Sequence, residues 1–97
     1  MSVFGLRLKA ARLQAGLSQE QLGIEAGLDP MSASARMNRY ELGKRAPNYD
    51  LAIALGKVLG VPAAYFYAAK DDEAELLLEF QRLSGDAKRK LLQSLRA

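Results

Sequence analysis

The chain has 97 residues, a net charge of +3 and neither cysteine nor histidine, which fits one domain of ordinary size with a short appendage. The absence of cysteine excludes disulfides and Cys-bound zinc or iron-sulfur centres, as is typical of cytosolic chains, and the absence of histidine excludes a Ser-His-Asp triad and His-bound metals. We therefore expect no enzyme, no metal and no cofactor.

The chain opens with two short predicted helices. Residues 4–15 place apolar residues at helical spacing, and Gly16 follows as a C-terminal cap. Ser18 precedes Gln21 by three residues, which is the capping-box pattern, and predicts a second helix of about two turns that Gly27 closes.

The third predicted helix has an unusual composition. Its sequence, "DPMSASARMNRYELG", offers Asp29 as the N-cap with Pro30 in the first turn, or Ser32 as a later cap. With either start the helix runs to Leu42, and we expect it over about residues 30–42. It combines serine, asparagine and arginine with few large apolar residues, so it needs an explanation beyond core packing.

Asn48 is the expected cap of a fourth helix, which ends at Gly60. The residues expected to face inward are Tyr49, Ala52, Ile53, Leu55 and Leu59. A short fifth helix is predicted through "AAYFY". Glycine, lysine and proline divide the apolar stretch 51–69 into short pieces, and no secretory signal opens the chain, so we expect no membrane segment and a cytoplasmic location.

Residues 71–83 predict a sixth helix with acidic residues in its first turn, where the helix dipole favours them. "AKRKLLQSLRA" predicts a last, amphipathic helix. Because no strand pattern appears, we expect an all-α chain with a domain over residues 1–69 and a helical extension over 70–97. The extension has more leucine than a satellite helix pair needs, which indicates association. The residues expected in a dimer interface are Leu76, Leu77, Phe80, Leu83, Leu91, Leu92 and Leu95.

Four motifs occur in a familiar order: "GLSQEQL", Gly27, "YELGKRAP" and "LAIALGKVLGV". Over roughly residues 5–67 they resemble the Cro/cI-type (XRE-like) helix-turn-helix regulators. The resemblance implies a five-helix lambda-repressor-like domain that binds double-stranded DNA. Two features depart from the family pattern: Gly23 stands where alanine is usual, and about four residues are inserted between Gly27 and Glu41.

The resemblance explains the unusual composition of the third helix. A major groove about 12 Å wide admits one helix, and polar side chains on its outer face can bond base edges. Met37 and Tyr40, three residues apart, would form the thin apolar stripe that holds the helix to the domain. The residues expected to read bases are Ser34, Ala35, Arg36, Asn38 and Arg39.

Other site residues are expected at the helix ends. The resemblance implies a phosphate anchor at Gln19. We expect Ser18 to bind phosphate beside it, because helix N-termini attract phosphate. Lys44 and Arg45 follow the third helix in a turn where they can neutralise phosphates. The resemblance also implies a structural ion pair between the first helix and the end of the third, formed by Arg12 and Glu41.

The sequence as a whole favours a sequence-specific DNA-binding regulator, a repressor that forms homodimers, encoded by a bacterium or phage and associated with the nucleoid. The charge supports a polyanion partner: residues 1–70 carry nine basic and five acidic side chains, whereas residues 71–97 carry five and six. The alternative is an antitoxin-like or other protein-binding module that captures a partner protein through residues 71–97. Catalysis is a third and weaker interpretation.

Overall fold

The computed structural model describes residues 2–97, and within them it contains α-helices, one 3₁₀ helix and no strand, which confirms the all-α prediction. None of the helices in this range has both the length and the apolar character that a membrane span requires. The elements are α1 Val3–Gln14, α2 Gln19–Glu25, α3 Ala33–Glu41, α4 Tyr49–Leu59, the 3₁₀ helix Ala63–Tyr67, α5 Asp71–Arg82 and α6 Gly85–Arg96.

Side-chain caps start most of the helices. At α2 the predicted capping box is complete, because the Ser18 hydroxyl accepts from the Gln21 amide at 3.0 Å and the Gln21 side chain accepts from the Ser18 amide at 2.9 Å. Asn48 caps α4 as predicted. Two caps were not predicted, namely Ser2 at the start of α1 and Ser84 at the start of α6.

The predicted range of residues 30–42 for the third helix is too long, and of the two predicted N-caps the later one, Ser32, holds the N-cap position, although its side chain makes no capping hydrogen bond. The Asp29 carboxylate accepts a hydrogen bond from the Met31 amide at 2.8 Å, and the Ser32 amide donates to the Asp29 carbonyl at 3.0 Å. The aspartate thereby closes a turn with its own backbone, which competes with helix formation, so α3 begins only at Ala33. The predicted fifth helix is a single 3₁₀ segment.

The core lies where α1, α2, α3, α4 and the 3₁₀ helix meet. Phe66, Leu8, Leu22, Met37 and Leu55 are its largest fully buried side chains. The prediction that Tyr49 faces this core is wrong, since its side chain is 74% exposed. It is the first residue of α4, between the exposed Asn48 and Asp50, and the apolar face of that helix begins only at Leu51 and Ala52.

The two helices of the extension differ in how they pack. In α5, Ala74 is buried with the core, Leu77 and Leu78 pack against it, and the Gln81 side chain donates to the Gly60 carbonyl at 2.9 Å. By contrast, α6 has no buried residue. It projects from the other helices, and the described residues together extend over 51 × 24 × 23 Å.

Arg7 connects α1 to the start of α5 through a hydrogen bond and an ion pair. Its Nε donates to the Ala68 carbonyl at 2.8 Å, and its Nη2 lies 3.1 Å from the Asp71 carboxylate. Its guanidinium also lies 5.9 Å from the centre of the Tyr65 ring. One half-buried side chain therefore holds the connection between the 3₁₀ helix and α5.

Candidate nucleic-acid interface

The turn between α2 and α3 depends on one glycine. Gly27 has a φ of 99°, in the region that only glycine adopts without strain. Its amide donates to the Ile24 carbonyl, and the Leu28 amide donates to the Gly23 carbonyl at 2.9 Å. This Schellman ending turns the chain sharply and buries Leu28, so α3 crosses α2 at a fixed angle.

Gly23 lies where α2 and α3 approach most closely. A Cβ atom at this position would stand 2.9 Å from the Ala33 Cβ and 3.2 Å from the Ala33 carbonyl oxygen. Real Cβ atoms essentially never come that close to another atom, so alanine at this position would force α2 and α3 to shift apart. The departure from the usual alanine is thus explained by the tight contact between the two helices.

The two faces of α3 differ in chemistry. Its inner face buries Ala33, Met37 and Tyr40, so the predicted apolar stripe is present and one alanine extends it. The candidate base-reading residues on the opposite face are exposed, and these are Ser34, Ala35, Asn38 and Arg39. The remaining candidate, Arg36, is half-buried, and its Nη2 donates to the Tyr40 hydroxyl at 2.9 Å.

Arg12 and Glu41, predicted as a pair, form two hydrogen bonds between α1 and the end of α3. Arg12 Nε lies 2.6 Å from Glu41 Oε2, and Arg12 Nη2 lies 3.1 Å from Glu41 Oε1. Arg12 Nη1 also donates to the Leu17 carbonyl at 2.9 Å. Only 9% of Arg12 and 6% of Glu41 are exposed, so the pair is withdrawn from solvent.

Gln19 joins this pair to the exposed face of α3. Its side-chain nitrogen donates to Glu41 Oε1 at 3.1 Å and lies 3.3 Å from the Asn38 amide oxygen. The sequence predicted a phosphate anchor at this residue and gave no sign of the bonds to Glu41 and Asn38. Ser18 is exposed beside it at the start of α2.

The turn after α3 brings basic side chains together. Gly43 has a φ of 76°, its amide donates to the Tyr40 carbonyl, and the Lys44 amide donates to the Arg39 carbonyl at 2.9 Å. This second Schellman ending folds the chain back, leaving Lys44 and Arg45 exposed. A cavity of about 270 Å³ results, lined by Arg36, Arg39, Tyr40 and Arg45. The sequence analysis did not predict that these four side chains lie together. Gly43 indicated the turn that brings them together.

The residues expected in a dimer interface are only partly exposed. Leu76, Leu92 and Leu95 are 53%, 40% and 67% exposed. Leu77 packs against the core of its own chain. The rest are half-buried, and these are Phe80, Leu83 and Leu91.

Comparison with known proteins agrees with this geometry. Residues 3–69 match the family model described as a helix-turn-helix domain. The crystal structure of the transcriptional regulator BswR is similar to the chain, with 47% sequence identity and a TM-score of 0.83 over 95% of this chain and 91% of that one. This similarity extends over most of residues 70–97, beyond the family domain. No protein with a curated description matches. The chain therefore belongs to the helix-turn-helix family of DNA-binding transcriptional regulators.

Proposed function

We propose that the protein is a sequence-specific repressor that reads the major groove with α3. The observation that carries this proposal is the division of α3 into a buried apolar face and an exposed polar face. Ser34 and Asn38 offer hydrogen-bond donors and acceptors to base edges, and Ala35 between them allows close approach. Repression needs only occupancy of the operator, which these surfaces can supply.

Phosphate contacts on both sides of α3 would fix its position in the groove. At one side, the start of α2 presents Ser18 and Gln19 at the positive end of a helix dipole. At the other side, Lys44 and Arg45 extend from the turn. Such contacts orient a protein on the duplex without reading its sequence.

A second copy of the chain is the proposed partner of α6. This helix is amphipathic, its leucines at positions 92 and 95 remain 40% and 67% exposed, and none of its residues is buried. Its charges suit a copy of α5, because α5 carries five acidic side chains and one basic one, whereas α6 carries one acidic and four basic. A homodimer would read two half-sites about 34 Å apart.

Selection of bound duplexes from random DNA tests the proposed reading of sequence. We expect enrichment of a motif with two related half-sites whose centres are about one helical turn apart. Retention of duplexes that share no motif would show a binder that recognises charge alone and would reject the proposal.

Substitutions in α3 and in the following turn should weaken DNA binding in different ways. Asn38→Ala is expected to cost about 1–3 kcal/mol on the selected operator and little on a scrambled duplex, because it removes a base contact. Lys44→Ala should weaken binding to both duplexes and lower the salt slope by about one unit, because it removes a phosphate contact. Titrations on both duplexes at two salt concentrations measure these effects.

Ser34→Ala serves as a second α3 variant and should resemble Asn38→Ala. Equal specificity ratios and equal salt slopes for the variants in α3 and in the turn would show that α3 does not read the sequence.

Removal of α6 should leave a folded monomer. We expect a chain ending at Leu83 to keep the helical circular dichroism of the remaining elements, because no residue of α6 is buried against them. It should bind the operator more weakly, since two half-sites are no longer linked. Sedimentation velocity gives the mass of both chains.

Point substitutions make the same test without truncation. Leu92→Glu combined with Leu95→Glu should dissociate the dimer, whereas Gln93→Glu adds one charge to the same helix and should not. A full-length chain that sediments as a monomer at micromolar concentration would contradict the dimer and would favour capture of a partner protein through the extension.

A further inference from the structure

We propose that Arg36, Arg39, Tyr40 and Arg45 together form a binding site for one phosphate group. The inference rests on the proposed function, since it assigns a ligand to one part of the same DNA-facing surface. It changes the role of two arginines, because Arg36 and Arg39 would bind phosphate rather than read bases.

The backbone brings these four side chains together. Arg36 and Tyr40 are one helical turn apart on α3, and Arg39 precedes Tyr40 directly. The Schellman turn at Gly43 then returns Arg45 to the last turn of α3, so that all four line the cavity of about 270 Å³. Neither the helix nor the turn supplies the site alone.

The charges in this cavity are unbalanced. Within residues 2–97 the ion pairs involve other arginines, and none includes Arg36, Arg39 or Arg45. No carboxylate lines the cavity. Three guanidinium groups without an acidic neighbour repel one another, and a bound anion would remove that repulsion.

The donor groups suit a tetrahedral oxyanion. Each guanidinium presents a planar fork of N–H donors that matches two oxygens of a phosphate. Tyr40 adds one more donor, because its hydroxyl oxygen accepts from Arg36 and its own proton is therefore available to a ligand. Tyr40 is only 6% exposed, and its bond to Arg36 fixes one side of the site.

Two sources could provide this phosphate: the DNA backbone, or free phosphate in solution. The position of the cavity favours the DNA backbone as the source. Two of its arginines, Arg39 and Arg45, are exposed and directly follow Asn38 and Lys44, which are themselves exposed and proposed to contact DNA. A phosphodiester beside the groove would thus reach the site while α3 lies within it.

The first arm of the test uses duplexes in which single phosphates are replaced by neutral methylphosphonates. For the wild-type protein, one position in each half-site should weaken binding by about tenfold, as expected for loss of charge-assisted hydrogen bonds. For Arg36→Ala, Arg45→Ala and Tyr40→Phe, the same replacement should weaken binding less than about twofold, because the partner of that phosphate is already impaired.

Tyr40→Phe keeps the buried ring, and Arg45→Ala alters an exposed turn, so these variants separate loss of the site from loss of the fold. Lys57→Ala is the charge control, because Lys57 is exposed beside Gly60 and Gln81, next to the extension. It should retain the full response of the wild type at every substituted position.

The second arm titrates inorganic phosphate into the protein without DNA, and NMR follows the Nε–Hε signals of the three arginines. Saturable shifts that Tyr40→Phe weakens would support the site. If they occur while no methylphosphonate position couples to the variants, the source is free phosphate. Absence of both responses would overturn the site, and since this arm uses no DNA, its result is independent of whether a specific operator is found.

Discussion

Replacement of Arg12 or of Glu41 by alanine is expected to lower the free energy of unfolding by about 3–5 kcal/mol in each case, because either change leaves one buried charge without its partner. Both side chains are almost fully withdrawn from solvent, and the two hydrogen bonds between them join α1 to the end of α3. Urea unfolding followed by circular dichroism measures the loss.

The double variant should lose clearly less than the sum of the two single variants, because one interaction cannot be removed twice. Glu79→Ala provides the control, since Glu79 pairs with Arg82 on the exposed face of α5 and should change stability by less than about 1 kcal/mol. Strict additivity of the Arg12 and Glu41 effects would show that the two residues act separately.

Gly5→Ala should also destabilise the protein, by about 1–3 kcal/mol, as expected for a methyl group forced into a packed site. A Cβ atom at this position would lie 2.3 Å from the Glu41 carbonyl oxygen and 2.8 Å from that of Tyr40. Those atoms belong to backbone, which cannot move aside as a flexible side chain can. Because α1 would have to separate from the end of α3, operator binding should fall together with the thermal midpoint.

Gly85→Ala is the matched control for Gly5→Ala. Gly85 is also helical, but the nearest atom to an added Cβ is the end of the Arg89 side chain at 3.7 Å. Alanine should be tolerated there or stabilise slightly, because it restricts the unfolded chain more than glycine does. Equal thermal midpoints for the two variants would show that α1 and α3 are not in close backbone contact.

The elements with strong local signals were predictable from the sequence. The capping box at Ser18, the cap at Asn48 and the glycines after the first four α-helices depend on neighbours in the chain, and the structure has them in place. The start of α3 was harder to predict, because aspartate is common both as a helix N-cap and as a turn residue. In the structure Asp29 forms a turn.

The features of the site that depend on long-range contacts were harder to predict from the sequence. Tyr49 has the spacing of an inward residue, yet it lies beyond the edge of the core, and spacing does not reveal where a core ends. Likewise, the bonds of Gln19 to Asn38 and Glu41 cross from one helix to another. The cavity between α3 and the following turn depends on how far Arg45 returns, which is a property of the folded backbone.

The contacts that α1 makes with α3 and with the start of α5 limit the spacing of operator half-sites that the proposed dimer can bind. On one side Gly5 touches the end of α3, and on the other Arg7 holds the backbone just before α5. In the proposed dimer, one rigid helix therefore sets the distance from each reading helix to the subunit contact. Insertion of one base pair between half-sites rotates them by about 35° relative to each other. A scaffold held in this way has little freedom to follow such a rotation, so spacer length becomes part of what the protein recognises.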